Sequence, residues 1–188
     1  MELVSQAIIF AANAHDGMRR KKSPAPYILH PMEAATIVGT ITDDQELIAA
    51  AILHDVVEDA GVSPEEIERN FGKRVRELVE SETEDKRADL PPKETWRIRK
   101  EESLAVLKNT DDLGVLTVWL GDKLANMRSF YRTFQLEGDA MWQNFNQKDK
   151  NEQAWYYRSI AEYTKRLADT SAWLEYKTLV ELVFGKGV

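Results

Sequence analysis

The chain has 188 residues, 43% of them hydrophobic, a formal net charge of -7 and no cysteine. This length suits one well-buried domain spanning 1–188, and the acidic balance argues against nucleic acid as a partner. The absence of thiols excludes disulfides, thiolate metal sites and cysteine nucleophiles. The N-terminus lacks the basic and apolar regions of a signal peptide, and no apolar run approaches the roughly 20 residues that span a bilayer, so a cytoplasmic protein without a membrane partner is expected.

The periodicity is helical almost throughout. Leu3, Ala7, Ile8, Ala11, Ala12 and His15 mark a first amphipathic helix. A basic, proline-containing loop follows from Asp16 to Leu29. Pro31 suits the start of a second helix running to about Val38, with His30 as its N-cap. Thr42 and Gln45 have capping-box spacing for a third helix, which continues through His54-Asp55 and Glu58-Asp59 to a C-cap at Ala60-Gly61. Ser63-Pro64-Glu65-Glu66 opens another helix, ending near Phe71-Gly72. Val75, Leu78 and Val79 belong to the next, which runs into the acidic stretch Glu80–Asp85. A polar loop at 85–93 precedes a charged helix over about 94–108. Leu113 to Arg128 is apolar on nearly every side and reads as a buried helix. Residues 133–148 read as irregular, and two helices, about 150–169 and 171–184, close the chain. No pair of alternating strands stands out, so the fold class is all-α, a bundle of about eight to ten helices.

Carboxylates rarely follow an apolar run such as Ala49-Ala50-Ala51-Ile52 unless something fixes them there. On a continuous helix His54 and Glu58 are four apart, Asp55 and Glu58 three apart, and Asp55 and Asp59 four apart, so all four share a face. One imidazole and three carboxylates would repel and desolvate badly without a cation among them. Nitrogen and oxygen donors suit manganese, iron or zinc better than calcium. Glu58 and Asp59 would also sit in the last turn, where the helix dipole disfavours acids. His30, beside the basic loop, and Asp122, following Val118-Trp119-Leu120, are the remaining candidates. Together His30, His54, Asp55 and Asp122 supply two nitrogens and two oxygens from three helices. Asn126 lies one turn after Asp122 on the same face. Arg19-Arg20-Lys21-Lys22 is out of character in an acidic chain and suits phosphate oxygens.

These segments resemble a known family. The matching stretches are Ala14-His15-Asp16-Gly17 with Arg20-Lys21, Pro26-Tyr27-Ile28-Leu29-His30-Pro31, Ala50 through Asp59, Phe71-Gly72-Lys73-Arg74-Val75, and Asp122-Lys123-Leu124-Ala125-Asn126-Met127-Arg128. They resemble the HD-type hydrolase domain of the RelA/SpoT homologues, and the chain is similar to the stand-alone small alarmone hydrolases. The resemblance implies a single HD-domain bundle and an enzyme that uses one Mn²⁺ to remove the 3′-pyrophosphate of ppGpp or pppGpp, ending the stringent-response signal. By matching motif it implies His30, His54, Asp55 and Asp122 as metal ligands and Glu58 and Asp59 as the catalytic pair. Substrate contacts would come from Arg20, Lys21, Lys22, Asn126 and Tyr156. Two positions depart from the pattern: the loop lacks the glycine usual before Pro-Tyr, and Gly121 stands where a larger residue is usual. The rival readings are an HD phosphohydrolase for another nucleotide such as NADPH, and a non-catalytic alarmone-binding protein.

Overall fold

Local sequence signals set most helix ends. The structure, a computed structural model, describes residues 1–20, 24–87 and 89–186. Among these it forms ten α-helices: α1 (Leu3–Ala14), α2 (Leu29–Val38), α3 (Gln45–Leu53), α4 (Val56–Ala60), α5 (Pro64–Phe71), α6 (Lys73–Glu82), α7 (Pro92–Asn109), α8 (Leu113–Glu137), α9 (Lys150–Tyr163) and α10 (Ser171–Phe184). Two 3₁₀ segments, Gly138–Asn144 and Lys165–Leu167, complete the helical structure. The described residues contain no strand, only an isolated bridge between Arg19 and Pro26. The all-α expectation holds.

Several caps act as their residue types dictate. The Ser63 hydroxyl accepts from the Glu66 N–H at the start of α5, with Pro64 in the first turn. Gly61 ends α4 in the left-handed conformation at φ 71°, which glycine adopts without a Cβ penalty. Asp44, rather than Thr42, caps α3 through the Glu46 N–H. Helix α2 begins two residues before Pro31, so His30 lies inside its first turn and not at its cap. A proline is tolerated there because the first-turn N–H groups have no intrahelical partner.

The larger difference from the sequence reading lies at His54-Asp55, where one expected helix is two. Asp55 sits at φ -94°, ψ -7°, in the sparsely allowed bridge region that recurs at active sites. The chain turns there and α4 starts afresh. Glu58 and Asp59 therefore occupy the first turn of a short helix, where the backbone dipoles favour acids rather than oppose them.

The expected irregular stretch 133–148 is instead the end of α8 followed by a 3₁₀ segment. Tertiary aromatic packing orders it, since Phe130 meets Trp142, Phe145 and Tyr157 at centroid distances of 5.8, 4.9 and 5.2 Å.

The core that positions the site is the packing of α2 and α3 on α8. Residues Gly114 through Ala125 of α8 are all buried, and each Leu or Val among them contributes roughly 1.5–3 kcal/mol by leaving water. Gly121 explains its own departure from the usual larger residue. A Cβ built there would lie 2.6 Å from Val38 Cγ2 and 3.0 Å from the Ala34 carbonyl oxygen. Only glycine allows α2 and α8 to approach this closely, and that approach brings His30 to Asp122.

Candidate metal centre and substrate cleft

His30 projects from the first turn of α2, His54 from the end of α3, Asp55 from the turn into α4, and Asp122 from the middle of α8. His30 Nε2 lies 2.9 Å from Asp122 Oδ1 and 3.6 Å from Asp55 Oδ2. His54 Nε2 lies 3.1 Å from Asp55 Oδ2 and 3.5 Å from Asp122 Oδ1. Ligand atoms of His30, His54 and Asp122 fall within 4.8 Å of one another, and all three residues are buried.

The tautomer of His54 tests whether a cation fits. Its Nδ1 is 2.8 Å from the Ala51 carbonyl oxygen. A carbonyl only accepts, so Nδ1 carries the hydrogen and a neutral ring presents a bare Nε2 lone pair to two carboxylates. That Nε2 has no hydrogen-bond partner among the described residues. Lone pairs facing carboxylates out of water require a proton or a metal ion between them. Burial alone would lower the His54 pKa, but Asp55 and Asp122 overcome it and hold the ring well above its ordinary value. Burial likewise disfavours charge on Asp122, yet Lys123 and His54 keep its carboxyl well below the usual range. The donor set therefore fits a divalent cation.

Flanking groups orient these donors. Asn126 Nδ2 donates to Asp122 Oδ1 at 2.7 Å, and Arg20 Nη2 donates to Asn126 Oδ1 at 2.9 Å. Lys123 pairs with Asp122 Oδ2 and reaches Glu82 Oε2 at 3.5 Å. Burial pushes the Glu82 carboxyl up to about 7 despite Lys123. Burial, then the Asp55 and Glu84 charges, also raise the Glu58 pKa. Glu58 Oε2 accepts from the Glu84 N–H at 3.3 Å, and Lys86 donates to Asp59. The Tyr27 hydroxyl donates to Asp59 Oδ2 at 2.6 Å and Asp55 Oδ2 at 2.9 Å. Burial and those carboxylates hold its phenol far above its ordinary pKa, so it remains a donor.

The donors floor a recess of about 200 Å³ that also includes Glu84, Arg99 and Lys100. The recess adjoins an open cleft of about 1330 Å³ walled by Arg20, Trp96, Phe130, Phe145, Tyr156 and Tyr157. This is a polar, charged floor beneath an aromatic wall, with room for a ligand the size of a nucleotide.

A family model for the HD domain matches residues 7–149. The chain belongs to the HD domain family. This HD domain is 35% identical over 134 residues to a Vibrio cholerae protein named guanosine-3′,5′-bis(diphosphate) 3′-pyrophosphohydrolase, covering 69% of this chain and 18% of that one. It is 36% identical over 127 residues to a GTP pyrophosphokinase of Brucella ovis, covering 68% and 17%. The chain thus spans about a sixth of the length of these curated relatives. Among solved structures, a Listeria monocytogenes protein superposes with a TM-score of 0.73 at 28% identity, covering 84% of this chain and 99% of the other. A metazoan ortholog of SpoT, described as hydrolysing ppGpp, superposes with a TM-score of 0.76 at 24% identity, covering 99% and 98%; at that identity the likeness speaks for the fold. No helix among the described residues of the HD domain is long and apolar enough to cross a membrane.

Of the residues singled out in the sequence, the structure brings His30, His54, Asp55, Asp122, Glu58, Asp59, Asn126 and Arg20 to one recess. Tyr156 lies on the cleft wall, almost wholly buried, its hydroxyl without a partner among the described residues. Lys21 and Lys22 lie outside the described residues. Sequence reasoning missed Tyr27, Glu82, Glu84, Arg99 and Lys100. The signal for Tyr27 was its place three residues before His30, and for Glu82 and Glu84 their place in the acidic run after Val79. Arg99 and Lys100 carried none, being two cations in a helix full of them.

Proposed function

We propose that this HD domain is a Mn²⁺-dependent pyrophosphohydrolase that removes the 3′-pyrophosphate of ppGpp or pppGpp and so ends the stringent-response signal. One observation carries the reading: the imidazoles of His30 and His54 and the carboxylates of Asp55 and Asp122 meet around one point, with His54 Nε2 bare and a second acid pair beside them at the foot of a nucleotide-sized cleft. The name of a relative 35% identical to this chain over 134 residues supports the substrate.

A divalent cation held by His30, His54, Asp55 and Asp122 would supply positive charge to the phosphoryl oxygens and make a neighbouring water more acidic. The residues would do the rest. Water attacks the phosphorus attached to the ribose 3′ oxygen; that new P–O bond forms as the bond to the ribose oxygen breaks. Glu58 and Asp59 accept the water's proton and return one to the departing oxygen. Arg20, with Lys21 and Lys22 in the same loop, neutralises the pyrophosphate oxygens. Asn126, held by Asp122 and Arg20, is positioned to meet the ribose, and Tyr156 walls the nucleoside end.

The test is pyrophosphate release from ppGpp, run beside NADPH and common nucleotides. Stripping metal should abolish it and Mn²⁺ should restore it, while Glu58→Ala and Asp59→Ala should each lose ~10²–10⁴-fold in rate with metal content intact. Full activity of a metal-free sample would overturn the metal reading. Preference for NADPH would move the domain to the other phosphohydrolase class, and ppGpp binding without turnover would make it a sensor.

A further inference from the structure

We propose that Tyr27 is a positioning residue that ties the catalytic acid Asp59 to the metal ligand Asp55. This deepens the reading of the site given above and rests on it. The phenol oxygen stands 2.6 Å from Asp59 Oδ2 and 2.9 Å from Asp55 Oδ2, so one O–H proton is shared between two carboxylates. Asp55 Oδ2 is also the atom facing His54 Nε2 at 3.1 Å and His30 Nε2 at 3.6 Å. Tyr27 therefore acts on the ligating atom itself.

The backbone of α4 ties the same two residues, since the Asp59 N–H donates to the Asp55 carbonyl at 2.9 Å. With main chain and phenol both bridging them, neither carboxylate can turn without disturbing the other.

Tyr27 is itself fixed from three sides. Its N–H donates to the Met18 carbonyl at 3.0 Å, and its own carbonyl accepts from the His30 N–H at 3.0 Å, joining it to the first turn of α2. Its ring lies on the His15 ring, with centroids 4.9 Å apart and planes at 33°. His15 is 3% exposed, and neither ring nitrogen has a hydrogen-bond partner among the described residues. His15 thus serves as an aromatic platform under Tyr27 rather than as a polar group. A hydrogen bond that orients a metal ligand is worth ~10–100-fold in metal affinity or activity, and locking the acid to that ligand sets where a proton can be taken relative to the metal.

The experiment compares Mn²⁺ binding by calorimetry in the full chain, wild type against Tyr27→Phe and His15→Phe. Tyr27→Phe keeps the ring and its stack and deletes one hydroxyl. Its Kd for Mn²⁺ should rise ~10-fold or more, and on ppGpp its kcat should fall while KM stays within about twofold. His15→Phe keeps the platform and should bind Mn²⁺ like wild type. A Tyr27→Phe Kd within about twofold of wild type, or an unchanged kcat in an active series, overturns the assignment. A wild type that turns over no nucleotide would fail the proposed function instead, and the Mn²⁺ comparison would still decide the role of Tyr27.

Discussion

The floor of the cleft and its rim are built on different physics. His30, His54 and Asp122 at the floor are 6, 3 and 4% exposed, on elements whose approach is fixed by apolar packing around Gly121 and the small residues Ala49–Ala51. Rim residues are held by ion pairs instead: Lys86 by Glu58 and Asp59, and Arg132 by Glu33. The side chains of Lys86 and Arg132 are 45 and 61% exposed, so such pairs are screened and individually worth little. A metal site demands fixed distances, which packed helices hold. A cleft admitting a large anion must exchange partners as the ligand enters, and half-exposed cations do this at small cost. On the proposed function, metal binding at the floor and anion recognition at the rim are thereby separated into a rigid layer and an adjustable one.

The largest effect expected from breaking this division is at Gly121. Gly121→Ala places a methyl against Val38 and the Ala34 carbonyl, and overpacking of this kind costs ~1–3 kcal/mol. Because α2 must move off α8, His30 should also part from Asp122, so metal affinity should fall along with the melting temperature. A variant with lower Tm but unchanged Mn²⁺ Kd would show that the α2–α8 spacing does not set the ligand geometry.

A second effect sharpens the account of the floor. Glu82 binds its proton more tightly folded, near about 7, than at its ordinary value of 4.5. Its contribution to stability is present below pH 4.5 and is lost as pH rises through about 7. In the metal-free protein, Glu82→Gln should remove a fall in stability of roughly 1–3 kcal/mol across that window. Chemical denaturation at pH 5 and pH 8 measures it, and equal slopes for both proteins would exclude Glu82 as the source.

The smallest effect belongs to the rim. Arg20→Ala removes the donor to Asn126 and, on the proposed function, one cation that meets the substrate's phosphates. KM for ppGpp should rise several-fold, more at low than at high salt because screening already weakens the contact, with Tm changed by no more than a few degrees. An unchanged KM at low salt would leave Arg20 a structural partner of Asn126 alone.

Much of the architecture was legible locally. The apolar faces of 113–128, the cap at Ser63 and the stop at Gly61 follow from side-chain type and spacing, and each acts as its chemistry dictates. The acidic groups following His54 marked the site for the same reason: charge next to an apolar run needs compensation. The break at Asp55 was not legible, since every residue from Gln45 to Ala60 is compatible with one helix. Nor was the ordering of 133–148, which depends on aromatic contacts with residues of α8 and α9.

By itself, then, the sequence determined the all-α class, most helix ends, and the candidate donors and acids of the proposed site, because periodicity, capping and buried charge are local properties. Only the tertiary structure decided which of them meet. Asp122 reaches His30 from 92 positions away in the chain because Gly121 lets two helices close. Tyr27 reaches Asp55 and Asp59 because its backbone is tied on one side to Met18 and on the other to the first turn of α2. Distances between elements are set by packing, and packing is a property of the assembled core rather than of any segment within it.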